Sequence, residues 1–274
     1  TGKTVLAKAL SKALDMDFSR IQCTPDLMPS DITGSNVWLP KEEKFNFIKG
    51  PVFSSILLVD ELNRATPRTQ AALLECMAEN QVSADGQIYK MNDPFFVIAT
   101  QNPIESEGTF PLPEAQKDRF TMTLSLGYPS EEDEKEIITA QRSTIHPVET
   151  VKSCINATDI LECKEEAATI HVESSVLSYI ISLSKKTRED SRLASGVSTR
   201  GSLALYKASQ SLAATRGRDF VTPEDVKDLC KNVFINRVIL SSESILKGYS
   251  SESIIEDILL QVPLPDFSAH TSSR

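Results

Sequence analysis

Apolar runs bounded by polar residues alternate along the first half of the chain, a pattern typical of a parallel sheet with helices between its strands. Residues 56–59 are wholly apolar and lead directly into an acidic pair, which predicts a strand buried on both faces. Residues 95–99 repeat this design and end in three polar residues, and residues 66–79 between the two runs read as a helix. Because parallel strands end at one edge of a sheet, the polar residues should share one site.

Two antiparallel hairpins are predicted to interrupt this alternation. The first has strand-like runs at 37–39 and 45–48 around a charged loop. The second has runs at 81–84 and 87–90 around an Asp-Gly pair, which readily supplies the positive φ angles of a type I′ turn. Both hairpins are expected to project beyond the core.

The second half of the chain changes from strand-like to helical patterns. We predict a sheet domain at 1–129, a connecting segment at 130–150 and a small all-helical domain at 151–274. Thr222 and Asp225 are spaced as a capping box around a Pro at the first helical position. The helices predicted after residue 129 are 131–142, 157–166, 174–188, 200–216 and 223–238.

The first four residues, Thr1, Gly2, Lys3 and Thr4, match the second half of a phosphate-binding loop, and leucines at helical spacing predict a helix at 5–14. Such a loop binds phosphate through backbone N–H groups, with a Lys on the outer phosphates and a hydroxyl on Mg²⁺. The first Gly of the full pattern and its strand would lie upstream. We therefore expect a fragment of a longer polypeptide, with a gap in the sheet beside the strand that ends in the acidic pair.

Five further polar residues are placed for phosphate chemistry. Asp60 can hold Mg²⁺ through a hydroxyl or water, and Glu61 can polarise an attacking water. Asn102 follows the next strand, where its amide either orients that water or belongs to a turn before Pro. Arg119 is either a helix-end cation or a finger that reaches a nucleotide. Arg200 opens a helix, where a cation opposes the helix dipole, so a purely structural role is disfavoured.

Composition narrows the function classes. Lys and Arg total 29 against 38 Asp and Glu, a net charge of −9, which argues against a broad nucleic-acid surface but leaves a local basic pore open. Five cysteines without a CxxC pair indicate neither a zinc site nor disulfides, which favours a reducing cytoplasm. No apolar run approaches the roughly 20 residues that span a bilayer, so we expect a soluble cytoplasmic protein.

Taken together, these motifs resemble the AAA+ ATPases and, more narrowly, the MoxR family. The combination covers essentially the whole chain and is far more specific than any single motif. The matching stretches are 24–34, 47–51, 56–64, 97–103 and 108–120.

The resemblance implies an α/β fold, in which a P-loop AAA+ parallel-sheet core is followed by a small helical lid. The two hairpins would be the helix-2 insert and the pre-sensor-1 hairpin. The implied site residues are Thr1, Gly2, Lys3 and Thr4 in Walker A, Asp60 and Glu61 in Walker B, Asn102 as sensor 1, Arg119 as the finger for a neighbouring subunit, and Arg200 as sensor 2.

The resemblance also implies a function, in which a hexameric ring hydrolyses Mg-ATP to drive chaperone-like remodelling or maturation of protein complexes. Partners with a von Willebrand factor A domain are implied as well. A nucleic-acid motor is an alternative, because relatives with the same inserts translocate DNA; the acidic balance and only three hairpin cations oppose it. A scaffold that binds nucleotide without hydrolysis is opposed by Glu61, Asn102 and Arg119.

Overall fold

The computed structural model describes residues 2–84, 86–101, 109–140 and 147–265, and the chain forms two compact units. The first unit comprises Thr1–Leu112 and Leu126–Leu161, and the second comprises Pro113–Ser125 and Glu162–Arg274. The stretch that carries Arg119 therefore packs with the helical half of the chain. The predicted domain boundaries follow composition, whereas these units follow spatial contacts, and the boundaries stay a prediction.

The secondary structure follows the order expected for helices alternating with strands and then helices alone. The helices are α1 (Lys3–Ala13), α2 (Pro29–Thr33), α3 (Pro67–Glu79), α4 (Glu114–Lys117), α5 (Glu131–Ala140), α6 (Ala157–Thr169), α7 (Ser174–Glu189), α8 (Thr199–Thr215), α9 (Pro223–Phe234), α10 (Ser242–Leu246) and α11 (Ser251–Gln261). The strands are β1 (Phe18–Gln22), β2 (Gly34–Leu39), β3 (Lys44–Lys49), β4 (Ile56–Asp60), β5 (Gln81–Ala84), β6 (Gln87–Lys90), β7 (Phe96–Ala99), β8 (Leu193–Ser195) and β9 (Ile239–Leu240).

The sheet of the first unit contains three parallel strands in the order β1–β4–β7. Every residue of β4 is buried, as its continuous apolar pattern predicts. The register places Gln22 beside Asp60, and Val59 beside Ala99, so the three strands end at one edge. The predicted parallel sheet with a common polar edge is confirmed.

The strand β7 is less buried than its apolar sequence predicts, and Phe96 is 51% exposed. Among the described residues, β7 pairs with β4 on one edge and with no strand on the other. A gap was expected beside β4. That expectation was wrong, because β4 has a strand on each side.

Both predicted hairpins are confirmed. β2 pairs with β3 and β5 pairs with β6, each antiparallel and with the expected runs opposite one another. The ring of Phe47 stacks on that of Tyr89 with 3.9 Å between centroids, which joins one hairpin to the other. Gly86 has the positive φ of 76° that its turn needs, whereas Asp85 lies outside the described residues.

The helical unit packs α7, α8, α9 and α11 around one apolar core, which confirms the predicted helical character of this part of the chain. Leu183, Leu205, Phe234 and Ile254 have no measurable exposure. The start of α8 agrees with the helix start predicted there, since the Ser198 hydroxyl accepts a hydrogen bond from the backbone N–H of Gly201 in the first turn. Apolar periodicity and caps thus act together to set these helices.

Six of the helices and strands given above were not predicted: β1, β8, β9, α2, α10 and α11, although the apolar spacing of α11 is helical. One helix was extended too far, since α9 ends at Phe234 and not at 238. Beyond that point Arg237 turns inward and its backbone N–H bonds to the Phe234 carbonyl, which closes a turn instead of continuing the helix.

A buried carboxylate fixes the start of α9. Asp225 is fully buried and accepts hydrogen bonds from Arg218 at 2.5 Å, Arg216 at 2.7 Å and the Thr222 backbone N–H at 2.9 Å. Burial alone would raise the pKa of Asp225, but the hydrogen bonds from Arg218, Thr222 and Arg216 lower that pKa below its ordinary value of 3.8.

We expect Asp225→Asn to lower the free energy of unfolding by roughly 2 kcal/mol at pH 7, because hydrogen bonds to a charged group contribute about 1.5–3 kcal/mol. A lowered folded pKa means that this stabilisation is complete above pH 3.8 and is lost as the pH falls through the folded pKa. Urea unfolding followed by far-UV circular dichroism at several pH values measures both effects. Asp228→Asn, which removes a half-exposed partner of Arg216, is the control. Equal losses in the two variants would contradict the prediction.

Candidate functional site

The first turn of α1 presents backbone donors at the polar edge of the sheet. Gly2 has a φ of 75°, and its carbonyl accepts the first helical hydrogen bond from Leu6 at 2.8 Å. The first N–H groups of a helix have no acceptor within it, and they favour an anion there. Lys3 and Thr4 lie in this turn and are half-buried, while Thr1 lies outside the described residues.

The carboxylate of Asp60 ends β4 and receives three side-chain donors. It is 6% exposed, and its Oδ2 accepts from the Thr4 hydroxyl at 3.4 Å and from Arg20 Nε at 2.6 Å. Its Oδ1 accepts from the Thr100 hydroxyl at 3.1 Å. The structure thus brings the start of α1 and the end of β4 together, as the predicted roles of Thr4 and Asp60 require.

Glu61 follows in a left-handed conformation with a φ of 56°. A non-glycine residue in this region costs of order 1–3 kcal/mol, and such residues concentrate at functional sites. Its backbone N–H donates to Thr100 Oγ1 at 3.0 Å, and its carboxylate accepts from Gln22 at 2.9 Å and Arg64 at 3.1 Å. These contacts turn the Glu61 carboxylate to the same edge as Asp60.

Four residues of this network were not predicted. Arg64 follows β4 itself and donates to Glu61. The other three come from the strands that flank β4, since Arg20 and Gln22 belong to β1 and Thr100 directly follows β7. The signal that was available is polar side chains at the ends of short strands on either side of an acidic strand end. Finding β1 in the sequence would have pointed to Arg20 and Gln22.

The acidic edge also affects Cys23, which is buried and donates its backbone N–H to the Asp60 carbonyl at 2.9 Å. Burial, with smaller contributions from the Asp60 and Glu61 carboxylates, raises the pKa of the Cys23 thiol to about 11. The thiol is therefore protonated at neutral pH and is neither a nucleophile nor a thiolate ligand.

The side-chain oxygen atoms at this edge are suitable ligands for Mg²⁺. This ion prefers oxygen ligands at about 2.1 Å in an octahedron, so neighbouring ligand atoms are about 3 Å apart. The Thr4 hydroxyl and Asp60 Oδ2, at 3.4 Å, are close to this spacing. Arg20 Nε bonds to the same Oδ2 and is a competing cation for it.

Arg119 and Arg200 lie in the second unit. Arg119 is exposed just after α4, and its backbone N–H donates to the Gln116 carbonyl at 3.2 Å. Arg200 is exposed in the first turn of α8. Both line a cavity of about 520 Å³ together with Lys207. The structure brings these two predicted residues to one cavity, and Asn102 lies outside the described residues.

Among the residues that the structure describes, no helix is both long and apolar enough to cross a membrane.

Two family models match the chain, and they define its class. The model described as the ATPase family associated with various cellular activities (AAA) matches residues 1–122. The model described as the AAA lid domain matches residues 185–258. The protein is thus an AAA ATPase domain with its helical lid, in agreement with the α/β fold predicted from the sequence.

Individual relatives narrow the class. Chaperone MoxR1 of Mycobacterium tuberculosis is 40% identical over 276 residues, which cover 97% of this chain and 72% of the relative. The uncharacterized protein YeaC of Bacillus subtilis is 42% identical over 264 residues, with 96% and 82% covered. The crystal structure of a candidate ATPase from Cytophaga hutchinsonii superposes with a TM-score of 0.90 at 39% identity, covering 96% of this chain and 82% of that one. The chain belongs to the MoxR family of AAA+ ATPases.

We expect Arg20→Met to lower the Mg²⁺ concentration at which half of the proposed metal sites are occupied. The substitution removes a cation that competes with Mg²⁺ for the Asp60 carboxylate. The factor should be about fivefold at most, since Arg20 is partly exposed and exposed ion pairs contribute about 0.2–1 kcal/mol. Titration with Mn²⁺ as a paramagnetic probe, with nucleotide present, measures this affinity. Arg68→Met on the exposed side of α3 is the control. A weaker affinity in the Arg20 variant would contradict the prediction.

Proposed function

We propose that this chain binds and hydrolyses Mg-ATP, and that it does so within a ring of identical subunits. The contact between the Thr4 hydroxyl and the Asp60 carboxylate carries the proposal, because it joins the start of a phosphate-binding helix to an acidic strand end. Membership of an AAA ATPase family supports nucleotide binding.

Binding would use the first residues of the chain. The backbone N–H groups of Thr1–Thr4 would bind phosphate oxygens, and the Lys3 ammonium would neutralise the outer phosphates. Thr4 and Asp60 would hold Mg²⁺, which would offset the negative charge of the phosphates.

Hydrolysis would depend on Glu61. Its carboxylate is fixed by Gln22 and Arg64 at the edge where Asp60 ends. From this position Glu61 would accept a proton from the attacking water, while the amide of Asn102 would orient that water. The left-handed backbone of Glu61 is explained if it directs this carboxylate toward the nucleotide.

The remaining charges would come from arginines. Arg119 is exposed at the surface, which supports a role as a finger in the nucleotide site of a second copy of the chain. Arg200 would sense the nucleotide from the lid of its own subunit. A hexamer is the ring size that we propose by resemblance to the family.

The energy of hydrolysis would serve chaperone-like remodelling or maturation of protein complexes in the cytoplasm. The relative from M. tuberculosis is named a chaperone. The first hairpin exposes Trp38 and Phe45, which are 47% and 67% exposed and suit apolar contacts with a protein client. A partner with a von Willebrand factor A domain is part of the same proposal.

We expect Glu61→Gln to reduce phosphate release by about 100-fold or more, because general bases typically contribute 10²–10⁴ in rate. ATP binding should persist, since the amide keeps the size of the carboxylate. A phosphate-release assay beside a nucleotide-binding titration separates the two. Glu79→Gln, at the exposed end of α3, is the matched control. Unchanged turnover in the Glu61 variant would reject its role, and turnover stimulated by DNA would favour the nucleic-acid motor.

We also expect turnover per subunit to rise steeply with protein concentration. An arginine finger is worth about 10³–10⁵ in rate, so an isolated subunit should be nearly inactive. Phosphate release measured across a dilution series, with mass determined by light scattering, tests this dependence. Constant specific activity in a preparation shown to be monomeric would rule out an obligatory ring.

A further inference from the structure

Arg237 is a buried cation in the helical unit. Its residue exposure is 8%, and its side chain is only 3% exposed. Transferring a guanidinium from water is costly unless it is paired and fully hydrogen-bonded. The hydrogen-bond partners of Arg237 therefore indicate which part of the structure its buried guanidinium stabilises.

The partners of Arg237 flank Arg119 on both sides. Its Nε donates to the Asp118 carboxylate at 2.8 Å, and its terminal nitrogens donate to the carbonyls of Phe120 at 2.5 Å and Thr121 at 3.0 Å. A further bond goes to the Val233 carbonyl on α9. The Arg237 guanidinium thus bonds to the residue before Arg119 and to the two residues after it, while Arg119 itself is exposed.

A second connection joins this segment to α8. The other oxygen of the Asp118 carboxylate accepts from the Ser198 hydroxyl at 2.8 Å, and Ser198 caps the helix that carries Arg200. Gly201 allows this close approach, because a Cβ there would lie 2.8 Å from Arg237 Cδ and 2.4 Å from the side chain of Val197.

We infer that Arg237 is a positioning residue for Arg119: through Asp118 and the adjacent carbonyls it holds Arg119 where the neighbouring subunit's nucleotide site needs it. This inference rests on the proposed function of Arg119 as a finger between subunits. It assigns the control of that finger to α9 and its following turn, in the helical unit of the same subunit.

The geometry requires arginine and not merely a positive charge. A guanidinium has five donors in a rigid plane, so it bonds to a carboxylate and to separate carbonyls at once. A lysine ammonium at position 237 could keep the charge opposite Asp118 but not all the carbonyl contacts. Substitution by lysine therefore tests the positioning itself.

Subunit mixing distinguishes a positioning defect from a folding defect. A subunit with Arg237→Met keeps its own Glu61, but its Arg119 should be displaced from the position that the neighbouring site needs. A subunit with Glu61→Gln cannot hydrolyse but presents Arg119 normally. In mixed assemblies the second subunit completes the site of the first, so turnover per Arg237→Met subunit should rise at least about tenfold above that of Arg237→Met alone.

The variant alone should show the matching kinetics. A small displacement of a catalytic group costs about 100-fold in rate, so we expect kcat of Arg237→Met to fall by about that factor with KM within about twofold of the parent. Arg237→Lys should be intermediate and should also recover on mixing. Wild-type kcat in Arg237→Lys would overturn the inference.

Two controls make the outcomes distinct. Arg119→Ala mixed with Glu61→Gln must recover; if it does not, the proposed finger between subunits fails and the inference falls with it. If that pair recovers while Arg237→Met with Glu61→Gln does not, only the inference is overturned. Arg218→Met removes a cation from the fully buried Asp225 in the same unit, so it should lower the melting temperature without lowering kcat. An equal loss of kcat there would assign the effect to instability and would also overturn the inference.

Discussion

The first unit depends on one constraint, the burial of the Asp60 carboxylate at the end of a strand that has no exposed residue. A buried carboxylate must be paired, and its donors come from three different elements: Thr4 on α1, Arg20 on β1 and Thr100 after β7. Satisfying one acidic group therefore ties the first helix to both outer strands. The same contacts include the residues proposed to hold Mg²⁺, so the hydrogen bonds that satisfy Asp60 and the proposed chemistry share one network.

The two carboxylates of this network, Asp60 and Glu61, have different surroundings. Asp60 is held by one cation, Arg20, and two hydroxyls and is shielded from solvent, whereas Glu61 lies one residue further and is partly exposed. The left-handed backbone at Glu61 turns its side chain away from that of Asp60, which suits the separate roles proposed for the two carboxylates. The raised pKa of Cys23 reflects its burial first and then the negative charge of this edge.

The helical unit uses its arginines in two ways. Arg237 is buried in an ion pair with Asp118, and Arg218 and Arg216 satisfy the buried Asp225. Arg119 and Arg200 are instead exposed at one cavity. Arg237, Arg218 and Arg216 thus stabilise the helical unit that carries the two arginines with proposed roles at the nucleotide. Residue type alone does not separate these uses, since all five residues are arginines.

The elements with local signals could be predicted from the sequence. They are the apolar run of β4, the two hairpins, most of the periodic helices and their caps, and the acidic pair at the strand end. The sequence also placed Thr4 and Asp60 in roles that their contact supports. The partners of Asp60, the place of β4 between two strands and the packing of residues 113–125 with the helical unit became known only from the fold. The reason is that Arg20 and Asp60, or Asp118 and Arg237, are separated by 40 and 119 positions. Their meeting depends on how whole elements pack, which periodicity along the chain does not encode.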